Sequence, residues 1–151
     1  LPIANFSNGN LDEQHSILSL PNSLLSFGDA GAHLAQICDA AYSSFALAHW
    51  GRDRLPGLRL EKLIRQMTGA QADLFGFAGR GKIAVGAVAD INIIDHDALR
   101  LNPPQTLHDL PGGASRLMQT AQGYLATLVG GIPIVENDQL TGERPGILLR
   151  S

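Results

Sequence analysis

Near Gly76 the chain changes the spacing of its apolar residues, and that change limits the folds open to it. Upstream, Leu34, Ile37, Ala41, Phe45 and Ala48 recur at three- and four-residue steps, and Leu60, Leu63, Ile64 and Met67 do the same. Such a stripe is one face of an α-helix. Downstream, Gly76, Gly79, Gly81 and Gly86 divide short apolar pieces, and Ala89 to Asp95 reads as a strand. Gly123 to Val129 reads as another, turned by Gly130-Gly131 into a partner over Ile132 to Val135. Pro133 places that partner at a sheet edge, because proline has no amide to donate. A last short strand is expected over Ile147-Leu148-Leu149. The spacing thus predicts helices around one or two short strands up to Gly76, then strands and loops.

The boundaries follow from local chemistry. Asn10 with Glu13 three positions on fits a helix N-cap and capping box, for a helix from Leu11 to about Leu18. Its Asp12, Glu13 and His15 read as a solvated face. The helix through Leu34 reaches about Trp50 and ends at Gly51 and Pro56-Gly57. Thr68-Gly69 breaks the next one, and Ala70 to Phe75 forms a further short turn of helix. Leu1 to Phe6 reads as a strand or strand end, and His96 to Gln122 as a turn-rich segment in which Pro103-Pro104 and Pro111-Gly112-Gly113 exclude regular structure.

Leu24 to Phe27 is a short apolar run between turn-prone Pro21-Asn22-Ser23 and Gly28, and reads as a brief buried strand. It delivers Asp29, then Gly31 and His33. Strand ends that meet glycine-containing loops are where α/β proteins place their chemistry. Asp29 can ligate a metal or take a proton, and His33 can bind an anion. Asp29 can equally cap a turn or the helix that follows.

With 44% apolar and 17% charged residues, the 151-residue chain has the composition of a globular protein able to bury a core. A formal charge of −3 offers no basic footprint for nucleic acid or an acidic membrane. No apolar run approaches the ~18 residues that a membrane span needs. Leu1-Pro2-Ile3-Ala4 does not resemble a signal peptide, and without an initiator Met the chain reads as cut or processed, with a cytoplasmic location expected. Cys38, the one cysteine, excludes an internal disulfide and reads as a small buried hydrophobe. Gly79-Arg80-Gly81 is no phosphate loop, since neither a helix pattern nor Lys-Ser/Thr follows it.

Gly28-Asp29-Ala30-Gly31-Ala32-His33 resembles the end of the eighth barrel strand in the amidohydrolase superfamily, and most closely its D-aminoacylase-like branch. The likeness continues through Gln36-Ile37-Cys38-Asp39-Ala40, His49-Trp50 and Arg52-Asp53-Arg54. It returns in the run from Gly79 to Asp90, which looks like the passage into that superfamily's small β-sandwich, and again in Thr141-Gly142 and Pro145-Gly146. There the roles of Gly81, Gly86 and Asp90 are structural: tight turns, and a carboxylate for turn amides or for Arg80.

The resemblance implies an α/β chain. Residues 1–76 would supply the last strand or strands and helices of a TIM-type (β/α)8 barrel, and residues 77–151 part of a β-sandwich domain, both incomplete. It implies Asp29 as the general base beside a metal centre, and a possible metal ligand, with His33 contacting substrate. The metal would be Zn2+, and the substrate a small amide such as an N-acyl amino acid. The superfamily takes further ligands from an H-x-H pair, and none of His15, His33, His49, His96 and His108 stands in one. The resemblance therefore makes this chain the C-terminal part of a longer enzyme, inactive and without tight zinc binding by itself. The rest of the barrel would come from upstream sequence or from a partner chain, and uncovered barrel edges favour a homo-oligomer. A non-catalytic β-rich assembly module derived from such an enzyme, or one half of a split enzyme, are the alternatives.

Overall fold

The structure, a computed structural model, describes residues 10–26 and 28–149. The strand expected over Leu1 to Phe6 lies outside them.

Helix α1 spans Leu11–Ser19. The Asn10 side chain accepts from the amides of Asp12 at 3.0 Å and Glu13 at 3.3 Å, satisfying two donors that a helix start leaves free. At its other end, Gln66 donates to the carbonyl of Leu18 at 3.2 Å and Lys62 to that of Ser19 at 2.7 Å. His15 does not stand in solvent as expected. Its ring meets the Gly57 carbonyl at 3.3 Å and lies 6.0 Å from the Trp50 ring.

The long helix expected from Leu34 begins only at Asp39. A 3-10 turn over Asp39–Ala41 leads into α2 (Tyr42–Phe45), which continues as a π-helix over Ala46–Asp53. Leu34 to Gln36 form a turn and Ile37 and Cys38 are irregular, and the Leu34 carbonyl accepts instead from the Leu117 amide at 2.8 Å. The wider π turn also changes which residues are inside: Ala46, Leu47, Ala48 and Trp50 are buried, whereas Phe45 is partly exposed. Helices α3 (Leu60–Met67) and α4 (Gly69–Phe75) follow as expected.

Of the strand expected over Leu24 to Phe27, Leu24 to Ser26 form none, and Phe27 lies outside the described residues. A strand persists only with a hydrogen-bonded neighbour, and among the described residues none precedes Ile91.

After Gly76 the strands are β1 (Ile91–Ile94), β2 (Arg100–Leu101), β3 (Gln105–Leu107), β4 (Arg116–Met118), β5 (Ala121–Gln122), β6 (Tyr124–Val129), β7 (Ile132–Glu136) and β8 (Gln139–Leu140). They form an antiparallel sheet of order β1-β6-β7-β8 and two small pairs, β2 with β5 and β3 with β4. The Gly130-Gly131 hairpin is as expected, with Val129 opposite Ile132. Its turn is held by Asp90, whose carboxylate accepts from the Gly130 amide at 2.8 Å and pairs with Arg80.

Three expectations fail in this half. The segment His96 to Gln122, read as turn-rich, carries β2 to β5 and a 3-10 turn over Pro111–Gly113, because short strands form there from pairings distant in sequence. Pro133 lies on β7, between β6 and β8, so it is not on an edge strand. The missing donor is tolerated because the β6–β7 register slips beside it, and because the β8 ladder stops at Val135. Ile147 to Leu149 remain irregular, with Ile147 and Leu148 facing solvent and no strand beside them among the described residues. Cys38 is half-buried, not a core residue.

One core joins the helices to the strands. Trp50 (2% exposed), Leu63 (0%) and Leu99 (0%) lie at its centre with Ala46, Leu47, Ala48 and Leu58. Leu11, Leu18, Leu25, Ile94 and Tyr124 pack around them. Burying a side chain such as Leu63 or Leu99 is worth about 1.5–3 kcal/mol. Polar bonds cross the same boundary. Arg52 donates to the carbonyls of His96, Asp97 (3.1 Å) and Leu99 (2.9 Å), and His96 Nε2 donates to the Leu47 carbonyl at 3.1 Å. Asp53 chelates the Arg52 guanidinium, which holds the Asp53 carboxyl below the usual carboxylate range.

Candidate functional site

Asp29 and His33 lie on the loop that runs from Gly28 to the 3-10 turn at Asp39. Both are exposed. The Asp29 amide donates to Asp39 Oδ2 at 2.9 Å. Gly28 makes that approach possible, because a Cβ there would stand 2.9 Å from the Asp39 carbonyl oxygen and 3.3 Å from its carboxyl carbon. A contact under 3.0 Å forces the backbone apart, so the position suits only glycine.

His33 takes a left-handed backbone, φ 46°, uncommon outside glycine and asparagine. Its carbonyl accepts from the amides of Gln36 at 2.7 Å and Ile37 at 3.1 Å, which closes the turn. Among the described residues no hydrogen bond or ion pair joins Asp29 to His33. Asp29 does not cap the following helix either, since that helix starts at Asp39 and the bond between them runs from amide to carboxylate.

Beside the loop lies an open concavity of about 640 Å3. Gly28 and Ala30 form one rim, and Tyr42, Met67, Phe75 and Phe77 line it. The paired Arg80 and Asp90 line it as well, with Ser26, Thr68 and Gln71, so mainly apolar walls carry a few polar groups and a neutralised charge pair.

Among the described residues no three His, Cys, Asp or Glu side chains gather where a metal ion would sit. A catalytic zinc site takes about three protein ligands, so the donor set present here does not make one. No helix among the described residues is long and apolar enough to cross a membrane.

Comparison with known proteins decides the family. The amidohydrolase family profile matches residues 23–135, which include the loop from Gly28 to His33, the π-helix and β6. The chain belongs to the amidohydrolase family. This amidohydrolase chain is 32% identical over 103 residues to the D-aminoacylase of Alcaligenes xylosoxydans xylosoxydans, a match covering 68% of the chain and 19% of that protein. It is 30% identical over 95 residues to the allantoinase of Solibacter usitatus (strain Ellin6076), covering 62% of the chain and 21% of that protein. Among solved structures it is similar to a D-aminoacylase studied for the functional role of its binuclear metal centre. That match has a TM-score of 0.52 and 28% identity, and covers 67% of this chain and 19% of the other. A D-aminoacylase mutant in complex with CuCl2 matches equally well. The chain therefore spans about a fifth of the length of the curated relatives it matches, and its fold is part of an amidohydrolase domain.

Sequence spacing missed Asp39. It stands in the stretch Gln36 to Ala40 that carried part of the resemblance, but only the folded loop sets its carboxylate against the Asp29 amide.

Proposed function

We propose that this chain is the C-terminal part of a metal-dependent amidohydrolase that hydrolyses an amide C–N bond, with an N-acyl amino acid or similar compound as substrate. The observation that carries this reading is the family match over residues 23–135, because it contains the loop bearing Asp29. In this reading residues 1–76 complete a (β/α)8 barrel, and residues 77–151 belong to a β-sandwich. The unpaired segment Leu24 to Ser26 fits it, since a barrel neighbour from upstream sequence or a partner chain would supply the missing ladder. Zn2+ is the proposed metal, with Asp29 available as one ligand and the others supplied from outside this chain, and the location is cytoplasmic.

The chemistry assigned to this chain is proton transfer. Water adds to the amide carbonyl carbon, and the Asp29 carboxylate accepts the proton it gives up. The same proton passes to the nitrogen as the C–N bond breaks, leaving a carboxylic acid and an amine. An exposed carboxylate whose backbone is tied down suits that task, because it can reach substrate without wandering. His33 orients the substrate, through a carboxylate where there is one. The apolar concavity next to Ala30 gives room for a hydrocarbon part of the substrate.

The test is Asp29→Asn in the complete native protein, alongside its intact mass and metal content. Asparagine nearly preserves size, the side chain at 29 is exposed and the bond to Asp39 is made by the backbone amide, so folding is kept. Turnover falls on the order of 10²–10⁴-fold. Near-normal activity in that variant rejects the base role. A native protein that begins close to Leu1 and shows no hydrolase activity supports the non-catalytic module instead.

A further inference from the structure

We infer that Asp39 is a positioning residue for Asp29: its carboxylate holds the Asp29 backbone and so aims the Asp29 side chain. This rests on the proposed role of Asp29. Three observations carry it.

The first is the bond itself, an amide-to-carboxylate contact of 2.9 Å reaching across the loop. A charged acceptor makes such a bond shorter and stronger than a neutral one. The second is the fit at Gly28, which lets the two backbones approach more closely than any side chain would allow. Together they fix the peptide plane leading into Asp29, and with it the direction in which the Asp29 side chain leaves the chain.

The third is where Asp39 stands. It is the first residue of the 3-10 turn that runs into α2 and the π-helix, whose Ala46, Leu47, Ala48 and Trp50 are buried. The Leu34 carbonyl, farther along the loop, is tied to the Leu117 amide of β4. The loop is thus pinned to the helix at Asp29 and to the strands at Leu34. An exposed carboxylate on an unpinned loop would sample many directions, and catalytic groups lose activity steeply with small misplacement.

The experiment compares Asp39→Ala, Asp39→Asn and Asp29→Asn in the complete native enzyme, with kcat and KM determined separately. Asp39→Ala removes the acceptor, and kcat is expected to fall on the order of 10²-fold with little change in KM. Asp39→Asn keeps an oxygen acceptor and is expected to restore kcat to within about tenfold of the parent. A parent-like kcat for Asp39→Ala, with Asp29→Asn inactive, overturns the positioning role while sparing the base. An active Asp29→Asn overturns the base. If Asp39→Asn loses as much as Asp29→Asn, Asp39 acts in the chemistry and the positioning role is again overturned. The 151-residue chain supplies a second readout in case Asp39→Ala does not fold. Its Asp29 amide proton resonance is expected downfield, moving upfield when Asp39 is protonated or replaced by Asn. An amide resonance indifferent to both changes refutes the bond.

Discussion

The hydroxyls of Ser44 and Tyr124 lie 2.7 Å apart, joining α2 to β6. Ser44 is buried, so its oxygen has little access to water as an alternative partner. Tyr124→Phe leaves that oxygen unpaired and is expected to cost about 1–3 kcal/mol by denaturant unfolding. Adding Ser44→Ala removes the orphan as well, so the double variant should be no less stable than the single one. Strict additivity of the two losses would show that the hydroxyls are not coupled.

Gly123 makes a close backbone contact within the strand-rich half. Its φ is +104°, and a Cβ there would stand 2.8 Å from Leu99 Cα and 2.9 Å from the Leu99 nitrogen. Gly123→Ala must therefore push β6 away from the fully buried Leu99. Overpacking of this kind costs about 1–3 kcal/mol, and the left-handed backbone adds to it. A thermal melt within a degree or two of the parent would contradict this geometry.

Protonation at low pH should be felt at Asp109. Arg116 donates two hydrogen bonds to its carboxylate, at 2.8 and 2.7 Å, and these chiefly hold the Asp109 carboxyl below the usual carboxylate range. A carboxyl whose folded pKa is depressed binds its proton less well when folded than when unfolded. Its contribution to stability is therefore present above the unfolded value of ~3.9 and is lost as pH falls through the lower folded value. Side-chain carbon NMR should place the Asp109 midpoint below that of an unpaired aspartate, and Arg116→Gln should move it upward. The pair is solvent-exposed, so added salt should narrow the difference.

Uncovered apolar surface should drive association. The accessible area is 10515 Å2, against roughly 7,400 Å2 for a compact monomer of 16.0 kDa. Leu55, Ile83, Val85 and Leu140 are among the large apolar side chains left exposed. Sedimentation velocity of the isolated chain is expected to show concentration-dependent oligomers, and Ile83→Glu with Val85→Glu should shift them toward monomer. A monomer with a sharp melting transition at every concentration would argue against an uncovered apolar surface.

The sequence revealed elements whose signals are local. The α1 cap at Asn10, the stripe of α3 and the Gly130-Gly131 hairpin all depend on residues within a few positions of one another. It could not reveal what depends on distant partners. Leu24 to Ser26 have strand composition but no ladder to join, and Ile147 to Leu149 repeat the case at the other end. Pro133 was misplaced because a register slip is not visible in residue order. At the site, motif likeness singled out Asp29 and His33, while Asp39 went unassigned because its role exists only once Gly28 lets the two backbones meet.

The burial of Leu99 among the helical side chains bears on how such a chain can be inherited and recombined. Leu99 lies downstream of the change in spacing at Gly76, yet it packs in one cluster with Trp50 and Leu63. A crossover at Gly76 between two diverged relatives would bring together a socket from one lineage and a plug from the other. Substitutions at these positions should therefore covary across relatives, with a larger residue at 99 answered by a smaller one at 50 or 63. A chimaera joined at Gly76 carries two unmatched halves of one core, whereas a junction that keeps 46–63 and 94–124 from the same parent leaves it whole.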